Sequence, residues 1–272
     1  MIRLPGRAWS WRYAGSAMAC APPRPVRRRW PAWRPEPTTT WSSRPSRGSW
    51  PGQQGPDIVV QAGEAAAYPA EVRNGDSLVP VIAGERISER HALEALLLPS
   101  ADNMAWILAR WDAGSKAGFV ARMNATARAL GMTATRYTGP SGLAASTVSS
   151  AADQVVLGTV AMHQPTLATI AAMRSAVIPV AGLVRNYNTL LGQDGIAGLK
   201  TGSDSAAGGC VLLASWRNVR GGGSRVLIVA AVLGQPGAGD TILPNALGAG
   251  RYLMLGLGQA LQPGSRRRRH NR

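Results

Sequence analysis

The segment Asp194-Gly195-Ile196-Ala197-Gly198-Leu199-Lys200-Thr201-Gly202-Ser203 opens the part of the chain that decides the fold. Gly195 to Lys200 is predicted to be a strand. Two apolar runs follow, Cys210 to Trp216 and Arg225 to Leu233, and the turn-rich residues 217–224 join them. Such a pattern predicts an antiparallel hairpin. A final helix is predicted from Asn245 to Leu261.

The chain upstream of this segment is predicted to be mainly helical. N-cap residues, apolar spacing and helix-ending Pro99 or Gly131 predict helices at Ser88–Leu98, Asn103–Trp111, Ser115–Leu130 and Ser149–Met162. Extended segments are predicted at Asp57–Gln61, Ser77–Val81 and Ser175–Val184. Strands, a helical insert, more strands and a terminal helix indicate an α+β fold with one antiparallel sheet and a separate all-helical lobe.

The charge of the chain is concentrated at its two ends. Thirty Lys and Arg against 14 Asp and Glu leave a net charge of +16 over 272 residues. Residues 1–56 contribute +9, residues 263–272 contribute +5, and residues 57–262 only +2. We therefore expect a nearly neutral globular domain over residues 57–262, followed by a basic tail. The basic flanks favour an anionic surface as a partner, and no nucleic acid is expected.

Residues 1–56 have an unusual composition. They hold six of the nine tryptophans, ten prolines and ten arginines. Proline at this density opposes helices and strands alike. We therefore expect a disordered basic segment. Two alternatives are an arm that binds single-stranded nucleic acid and a translation outside the natural reading frame, which the abrupt change near Gly55 favours.

Nothing in the sequence suggests a metal, a cofactor or a transmembrane helix. Cys20 and Cys210 lie in different regions, and no Cys/His cluster has zinc spacing. No run of 18 apolar residues occurs. A signal peptide is not convincing either, because Arg7 and Arg12 interrupt the apolar segment that it would need.

The tripeptide Lys200-Thr201-Gly202, followed by Ser203, is the first candidate site. A lysine can stabilise charge beside a reacting carbonyl, the glycine allows a substrate backbone to approach closely, and the two hydroxyls can bind a carboxylate. The tripeptide by itself is weak evidence, since most lysines are solvated. Lys200 is, however, one of two lysines in a chain with 28 arginines.

The second candidate is Ser100-Ala101-Asp102-Asn103, between two predicted helices. Ser, Asp and Asn all favour helix N-caps, so this tetrapeptide taken alone predicts a cap rather than a site. A serine followed one hundred residues later by Lys-Thr-Gly, with helices between them, resembles the active-site-serine penicillin-recognising enzymes.

Five blocks, in order, resemble the D-alanyl-D-alanine carboxypeptidases of the low-molecular-weight penicillin-binding proteins. They are Leu96-Leu97-Leu98-Pro99-Ser100-Ala101-Asp102-Asn103, Met123-Asn124-Ala125-Thr126-Ala127-Arg128-Ala129-Leu130-Gly131-Met132, Ser141-Gly142-Leu143, Asn186-Tyr187-Asn188-Thr189-Leu190-Leu191 and Asp194 to Ser203. The resemblance implies a β-lactamase/transpeptidase-like fold and an extracytoplasmic hydrolase. Its implied substrate is a peptidoglycan stem peptide ending in D-Ala-D-Ala, cleaved through an acyl-enzyme without metal or cofactor.

The resemblance also implies roles for individual residues. Ser100 would relay a proton to the leaving amine and Lys200 would be its electrostatic partner. Thr201, Gly202 and Ser203 would bind the terminal carboxylate side. Asp102 stands where the family pattern has asparagine, and Asn103 follows one place later, so an acceptor-only carboxylate replaces an amide. Asp102 and Asn103 are expected to contact the substrate, which this chain should bind more weakly than a chain with the family's asparagine.

A graver departure is that no Ser-x-x-Lys element exists in this sequence. The lysines are Lys116 and Lys200, and the residues three places before them are Ala113 and Ala197. Arginine cannot substitute, because its guanidinium stays protonated. We therefore expect no appreciable acyl-enzyme, β-lactam binding only if a nucleophile is restored, and an N-terminally incomplete fold of reduced stability.

Two alternatives to an inactive carboxypeptidase stay open at this point. A class A β-lactamase shares Asp-Asn after a serine and Lys-Thr-Gly, but its deacylating glutamate element is not evident. A non-catalytic domain that binds muropeptides or the cell wall requires neither the nucleophile nor the glutamate.

Overall fold

The computed structural model describes residues 54–218 and 225–261, together with the backbone of residues 2–4 and 7–9. The chain divides into two units, residues 1–48 and 49–272. In the first unit, strands β1 (Ile2–Leu4) and β2 (Arg7–Trp9) pair antiparallel. The sequence shows no strand pattern there, and the disorder expected of residues 1–56 stays a prediction. The other predictions for residues 10–53 and for the basic tail lie outside the described residues.

The second unit begins with small paired strands and helices. Its first elements are β3 (Asp57–Val59), α1 (Ala62–Asn74), β4 (Arg86–Ser88), α2 (Glu89–Leu97), α3 (Asp102–Ala113), α4 (Lys116–Ala129), α5 (Ala151–Met162) and α6 (Pro165–Ala171). Serine caps form: the Oγ atoms of Ser88 and Ser115, as predicted, and of Ser150, one residue after the predicted Ser149, accept hydrogen bonds from backbone N–H groups three residues later. Gly131 has a φ of 72°, as a left-handed helix end requires.

Strands and one long helix complete the second unit. They are β5 (Ser175–Ile178), β6 (Gly182–Arg185), β7 (Ile196–Asp204), β8 (Gly208–Asn218), β9 (Arg225–Gln235) and α7 (Ile242–Ala260). Strands β7, β8 and β9 form an antiparallel sheet in that order, in which Lys200 lies opposite Leu212. The predicted hairpin and the α+β class are confirmed.

Helix α7 packs against this sheet so closely that it needs a glycine at the contact. A Cβ at Gly250 would lie 2.8 Å from both Leu213 Cδ1 and Val211 Cγ2. Both side chains are almost fully buried. The contact joins a core that includes Ile196, Ala246 and Met254.

A second core lies in the helical part of the unit. It includes Ile58 and Ile87 from the paired strands β3 and β4, Leu98 directly after α2, and Met104 and Ile107 from α3, all at most 1% exposed. Because the segment from Leu98 to Ala101 contributes to this core, the chain around Ser100 is held firmly by packing.

The sequence predictions were wrong at four elements. Helix α1 was missed, because Pro69 stands inside it and none of its residues is fully buried, so it has no apolar stripe. Helix α6 was also missed. Residues 77–81 form no strand, and β3 pairs with β4 instead. The strand predicted at Ser175–Val184 is the hairpin β5–β6, because Pro179 ends the first strand before Val180 turns with a φ of 62°.

Within the described residues, no helix combines the length and the apolar character that crossing a bilayer requires.

Candidate active site

The two motifs that the sequence singled out meet through one hydrogen bond. Lys200 Nζ lies 2.7 Å from Ser100 Oγ and 2.6 Å from the carbonyl oxygen of Thr201. Lys200 lies in the middle of β7, and Ser100 lies between α2 and α3. Residues one hundred positions apart are therefore brought together at the junction of the sheet with the helical part of the unit.

Ser100 has a backbone conformation that serines rarely adopt. Its φ is 62°, in the left-handed region that costs a non-glycine residue about 1 kcal/mol. The N-cap of α3 is Ala101, whose side chain makes no capping bond, so Ser100 does not cap the helix. The hydroxyl of Ser100 instead accepts a hydrogen bond from Lys200. Strained residues of this kind are common at functional sites.

The environment of Lys200 weakens its hold on its proton. Burial lowers the pKa of Lys200 to about 8, and the neighbouring Asp102 carboxylate partly opposes that shift. Desolvation disfavours the charged ammonium, and a nearby negative charge favours it. At neutral pH the side chain is still mostly protonated, but it is closer to exchanging a proton than a surface lysine.

Asp102 is buried at the first turn of α3 and is 6% exposed. Burial raises the pKa of Asp102 to about 6, and the carboxylates of Asp76 and Glu71 add to that shift. A hydrogen bond from the Ser77 backbone and the charge of Lys200 lower it in part. Asp102 thus carries a carboxylate whose negative charge is costly at neutral pH.

Asn103 is occupied by a different part of the chain. Its Nδ2 donates to the Val79 carbonyl at 2.8 Å, and its Oδ1 accepts from the Val79 N–H at 3.3 Å. The residue is 3% exposed. Asn103 therefore holds the backbone of Val79 against α3, and no feature of the local sequence predicts that contact.

Thr201, Gly202 and Ser203 continue β7, which is an edge strand of the described sheet. Strand β8 pairs with one side of β7, and no described strand pairs with the other. Thr201 is buried, Gly202 is half-buried and Ser203 is exposed. An extended peptide could add to an edge of this kind through main-chain hydrogen bonds.

A network that the sequence did not reveal holds the start of β7. Arg251 Nε lies 2.7 Å from Asp194 Oδ2, and Arg217 Nη2 donates to the Asp194 carbonyl. Ser215 Oγ donates to the Gly195 carbonyl at 2.7 Å. These contacts reach Asp194 and Gly195 from β8 and α7, and they position the strand that carries Lys200.

The described residues contain no second lysine beside Ser100. Lys116 Nζ lies 4.4 Å from the centre of the Trp106 ring, in an exposed position at the start of α4. The serines of the N-terminal segment, Ser42, Ser43, Ser46 and Ser49, lie outside the described residues. No nucleophile with a lysine three residues later is present in the sequence.

Comparison with protein families finds one match over most of the described domain. The family model described as D-alanyl-D-alanine carboxypeptidase matches residues 55–236.

Two curated relatives illustrate the extent of the similarity. The chain is 37% identical over 163 residues to D-alanyl-D-alanine carboxypeptidase DacB2 of Mycobacterium tuberculosis, covering 57% of this chain and 54% of the relative. It is 35% identical over 156 residues to a D-alanyl-D-alanine endopeptidase of Pseudomonas aeruginosa, covering 55% of this chain and 50% of the relative. The chain thus spans about half the length of these relatives.

Solved structures share the same fold. The Streptomyces K15 DD-transpeptidase superposes with a TM-score of 0.64 at 22% identity, covering 76% of this chain and 80% of that one. An evolved penicillin-binding protein homolog from Mycobacterium tuberculosis gives a TM-score of 0.60 at 30% identity, covering 78% of this chain and 77% of that one. The β-lactamase/transpeptidase-like architecture predicted from the sequence is confirmed.

Proposed function

This chain belongs to the D-alanyl-D-alanine carboxypeptidase family of serine peptidases, and from that premise we propose that residues 57–262 bind peptidoglycan stem peptides ending in D-Ala-D-Ala without forming an acyl-enzyme. The family reaction is the hydrolysis of the terminal D-Ala by a serine nucleophile. This chain keeps the relay serine and the Lys-Thr-Gly strand, and it has no Ser-x-x-Lys element. Its proposed role is therefore that of a non-catalytic muropeptide-binding domain.

One contact supports this proposal most strongly: the 2.7 Å hydrogen bond between Lys200 Nζ and Ser100 Oγ. A buried ammonium beside a hydroxyl and an open strand edge offers a peptide carboxylate a charge partner and main-chain pairing together. In this arrangement Lys200 is the electrostatic partner, and Thr201 and Ser203 contact the carboxylate side. Ser100 holds the position from which a proton relay would act.

The two residues after Ala101 would differ in how they affect the bound peptide. Asp102 would offer the peptide an acceptor in place of an amide. Asn103, whose side chain is bonded to Val79, would act by holding the wall of the site in place rather than by touching the peptide.

The absence of the acylation step follows from the chemistry of the residues present. A serine hydroxyl becomes a nucleophile when an adjacent base removes its proton. Lys200 could accept a proton only when neutral, and most of it is charged at pH 7. Its ammonium also donates to the Thr201 carbonyl. Ser100 is therefore expected to bind the peptide rather than attack it.

The location and remaining partners follow from the family and the charge distribution. Stem peptides occur on the outer side of the cytoplasmic membrane, so we place the chain in the cell wall or periplasmic space. The basic flanks are residues 1–56, with a net charge of +9, and residues 263–272, with a net charge of +5. They would attract anionic wall polymers or lipid headgroups at low ionic strength.

Penicillin labelling and peptide binding test this proposal together. Purified full-length chain incubated with a fluorescent penicillin is expected to show no covalently labelled band after denaturing electrophoresis. The same protein is expected to bind diacetyl-L-lysyl-D-alanyl-D-alanine in calorimetry.

A matched pair of lysine variants identifies the site. Lys200→Ala should abolish peptide binding, whereas Lys116→Ala, at the exposed second lysine, should leave it intact. A labelled band from the wild-type chain would show that an acyl-enzyme forms and would refute the non-catalytic role. Absence of peptide binding would refute the recognition role.

A further inference from the structure

Three arginines from separate parts of the chain contact the turn that precedes β7. Arg217 lies on β8 and donates from Nη2 to the Asp194 carbonyl, whereas Arg251 lies on α7 and its Nε is 2.7 Å from Asp194 Oδ2. Arg174 donates to the Leu191 carbonyl at 2.7 Å, three residues earlier in the same turn. Two of the three guanidinium groups therefore meet at a single residue.

Only one carboxylate balances these positive charges. Asp194 is the single Asp or Glu among residues 154–203. Over residues 54–218 and 225–261, its ion pair with Arg251 is the only one that involves any of the three arginines. Three guanidinium charges against one carboxylate leave an excess of two positive charges at the turn. Such a concentration of one sign of charge attracts anions from solution.

Most of the hydrogen-bond donors of Arg217 and Arg251 are unused. Each guanidinium group carries five N–H donors in a planar fork. Within the described residues, each of these two arginines uses one of them. Arg217 Nε is buried and has no partner, so an acceptor that reaches it would remove the cost of burying it unpaired. The side chain of Arg251 is 47% exposed and accessible to a ligand.

Two glycines fix the position of the Arg217 guanidinium. A Cβ at Gly195 would lie 3.1 Å from Arg217 Nη1, and a Cβ at Gly258 would lie 3.7 Å from Nη2. Because neither residue has a side chain, the planar group fits between the start of β7 and the last turns of α7. A donor group that is already held in place loses little conformational freedom when it binds an anion.

The number and geometry of these donors suit a phosphate group. A carboxylate has two oxygens, and Asp194 already supplies one carboxylate. A phosphate group offers more acceptor oxygens, so it can accept hydrogen bonds from two guanidinium groups at once. The sequence continues from α7 into residues 263–272, which carry five arginines and no acid. A ligand with several phosphates in series would engage both the turn and this basic tail.

We propose that Arg217 and Arg251 form a phosphate-binding site at the amino-terminal end of β7, and that its ligand is a phosphodiester polymer. The site is separate from Lys200, which lies in the middle of β7, and it does not depend on the recognition of stem peptides. A bound phosphate competes with the Asp194 carboxylate for Arg251, so Asp194 limits the affinity of the site.

The Nε–H resonances of arginine in ¹H–¹⁵N spectra report this site separately from the basic flanks. The full-length chain is titrated with inorganic phosphate at constant ionic strength. The resonances of Arg217 and Arg251, assigned by their loss in Arg217→Lys and Arg251→Gln, should shift and saturate. Soluble poly(glycerol phosphate) should produce the same shifts at phosphate concentrations about tenfold lower, because the turn and the tail bind one molecule together.

Two variants should change the phosphate affinity in opposite directions, as followed at the Arg217 resonance. Asp194→Asn removes the competing carboxylate and should bind phosphate about three- to fivefold more tightly. Asparagine also tolerates the φ of 50° at this position. Arg251→Gln should bind about three- to fivefold more weakly. The exposed ion pair between Arg86 and Asp57 supplies matched controls: Asp57→Asn and Arg86→Gln should leave the affinity unchanged.

The remaining outcomes would overturn the site or its ligand. Resonances that do not respond to phosphate, or an Asp194→Asn variant that binds no more tightly than the wild type, would overturn the site. Equal affinities for inorganic phosphate and for the polymer would overturn the polymer as its ligand. So would shifts that appear at lower phosphate concentrations with phosphatidylglycerol vesicles than with the polymer, since they would identify a membrane surface instead.

Discussion

Lys200 and Asp102 are the two residues whose ionisation the fold changes most clearly toward neutral pH. Both shifts are caused chiefly by burial, and in opposite directions: the pKa of Lys200 falls to about 8 and that of Asp102 rises to about 6. Between these values both side chains are mostly charged, and the site holds an ammonium near a carboxylate. Changes of pH on either side of this window should therefore have different effects.

The lowered pKa of Lys200 predicts a loss of peptide binding at mildly alkaline pH. Binding of the peptide carboxylate needs the ammonium, so the affinity for the diacetyl peptide should be constant below pH 8 and fall about tenfold per pH unit well above it. Calorimetry between pH 7 and 9.5 measures this. Lys200→Arg, which keeps its charge throughout, should bind more weakly but with a flat profile. A flat wild-type profile would contradict the prediction.

The raised pKa of Asp102 predicts that Asp102→Asn stabilises the protein. Folding raises the pKa of Asp102 from its ordinary value of 3.8 to about 6, so ionising Asp102 lowers the free energy of unfolding. That loss is complete well above pH 6 and absent below about pH 4. The variant should gain about 1–3 kcal/mol at pH 8, and the gain should shrink as the pH falls through 6. Urea unfolding at pH 8 and 4.5 measures it. A gain of the same size at both pH values would show that the ionisation of Asp102 is not its cause.

At the scale of elements, the contact of α7 with β8 depends on one glycine. Gly250→Ala places a methyl group 2.8 Å from Leu213 and Val211, so it should destabilise the fold by about 1–3 kcal/mol despite the better helix propensity of alanine. Gly248→Ala, two residues earlier on the same helix, meets nothing within 4 Å. It should stabilise the fold by about 0.5–1 kcal/mol. Thermal unfolding of the two variants is the measurement, and changes of the same sign in both would show that packing is not the cause.

At the scale of the whole molecule, the described sheet has a long apolar edge. Strand β9 runs from Arg225 to Gln235, and within the described residues it pairs only with β8. Long apolar edges template pairing with other chains. The reduced stability expected from the sequence stays a prediction, and the edge of β9 gives it a separate, testable form.

The open edge of β9 predicts concentration-dependent self-association. Sedimentation velocity of the full-length chain should show larger species as the concentration rises. Val226→Lys, a half-buried position on β9, should reduce them, because a charged edge residue opposes strand pairing. Val177→Lys, at an exposed position on β5, should not. A purely monomeric wild type would contradict the prediction.

Local signals predicted much of the fold. The N-cap serines, the left-handed Gly131 and the apolar runs of β8 and β9 are each determined within a few residues, so they could be identified without coordinates. The family pattern also singled out Ser100 and Lys200, which the fold brings into contact and whose roles stay predictions. The elements that were missed lacked such signals, as α1 shows: Pro69 interrupts it, and no apolar stripe marks it.

What only the tertiary structure decided concerns partners far apart along the chain. The pairing of Asn103 with Val79 and the anchoring of Asp194 by Arg217 and Arg251 join segments with no shared periodicity. The pKa shifts belong to the same group, because desolvation depends on which elements cover a side chain. The sequence by itself determined the residue types, their local conformations and the missing Ser-x-x-Lys element. Packing determined their distances, burial and charge states, because those quantities arise only when distant segments come into contact.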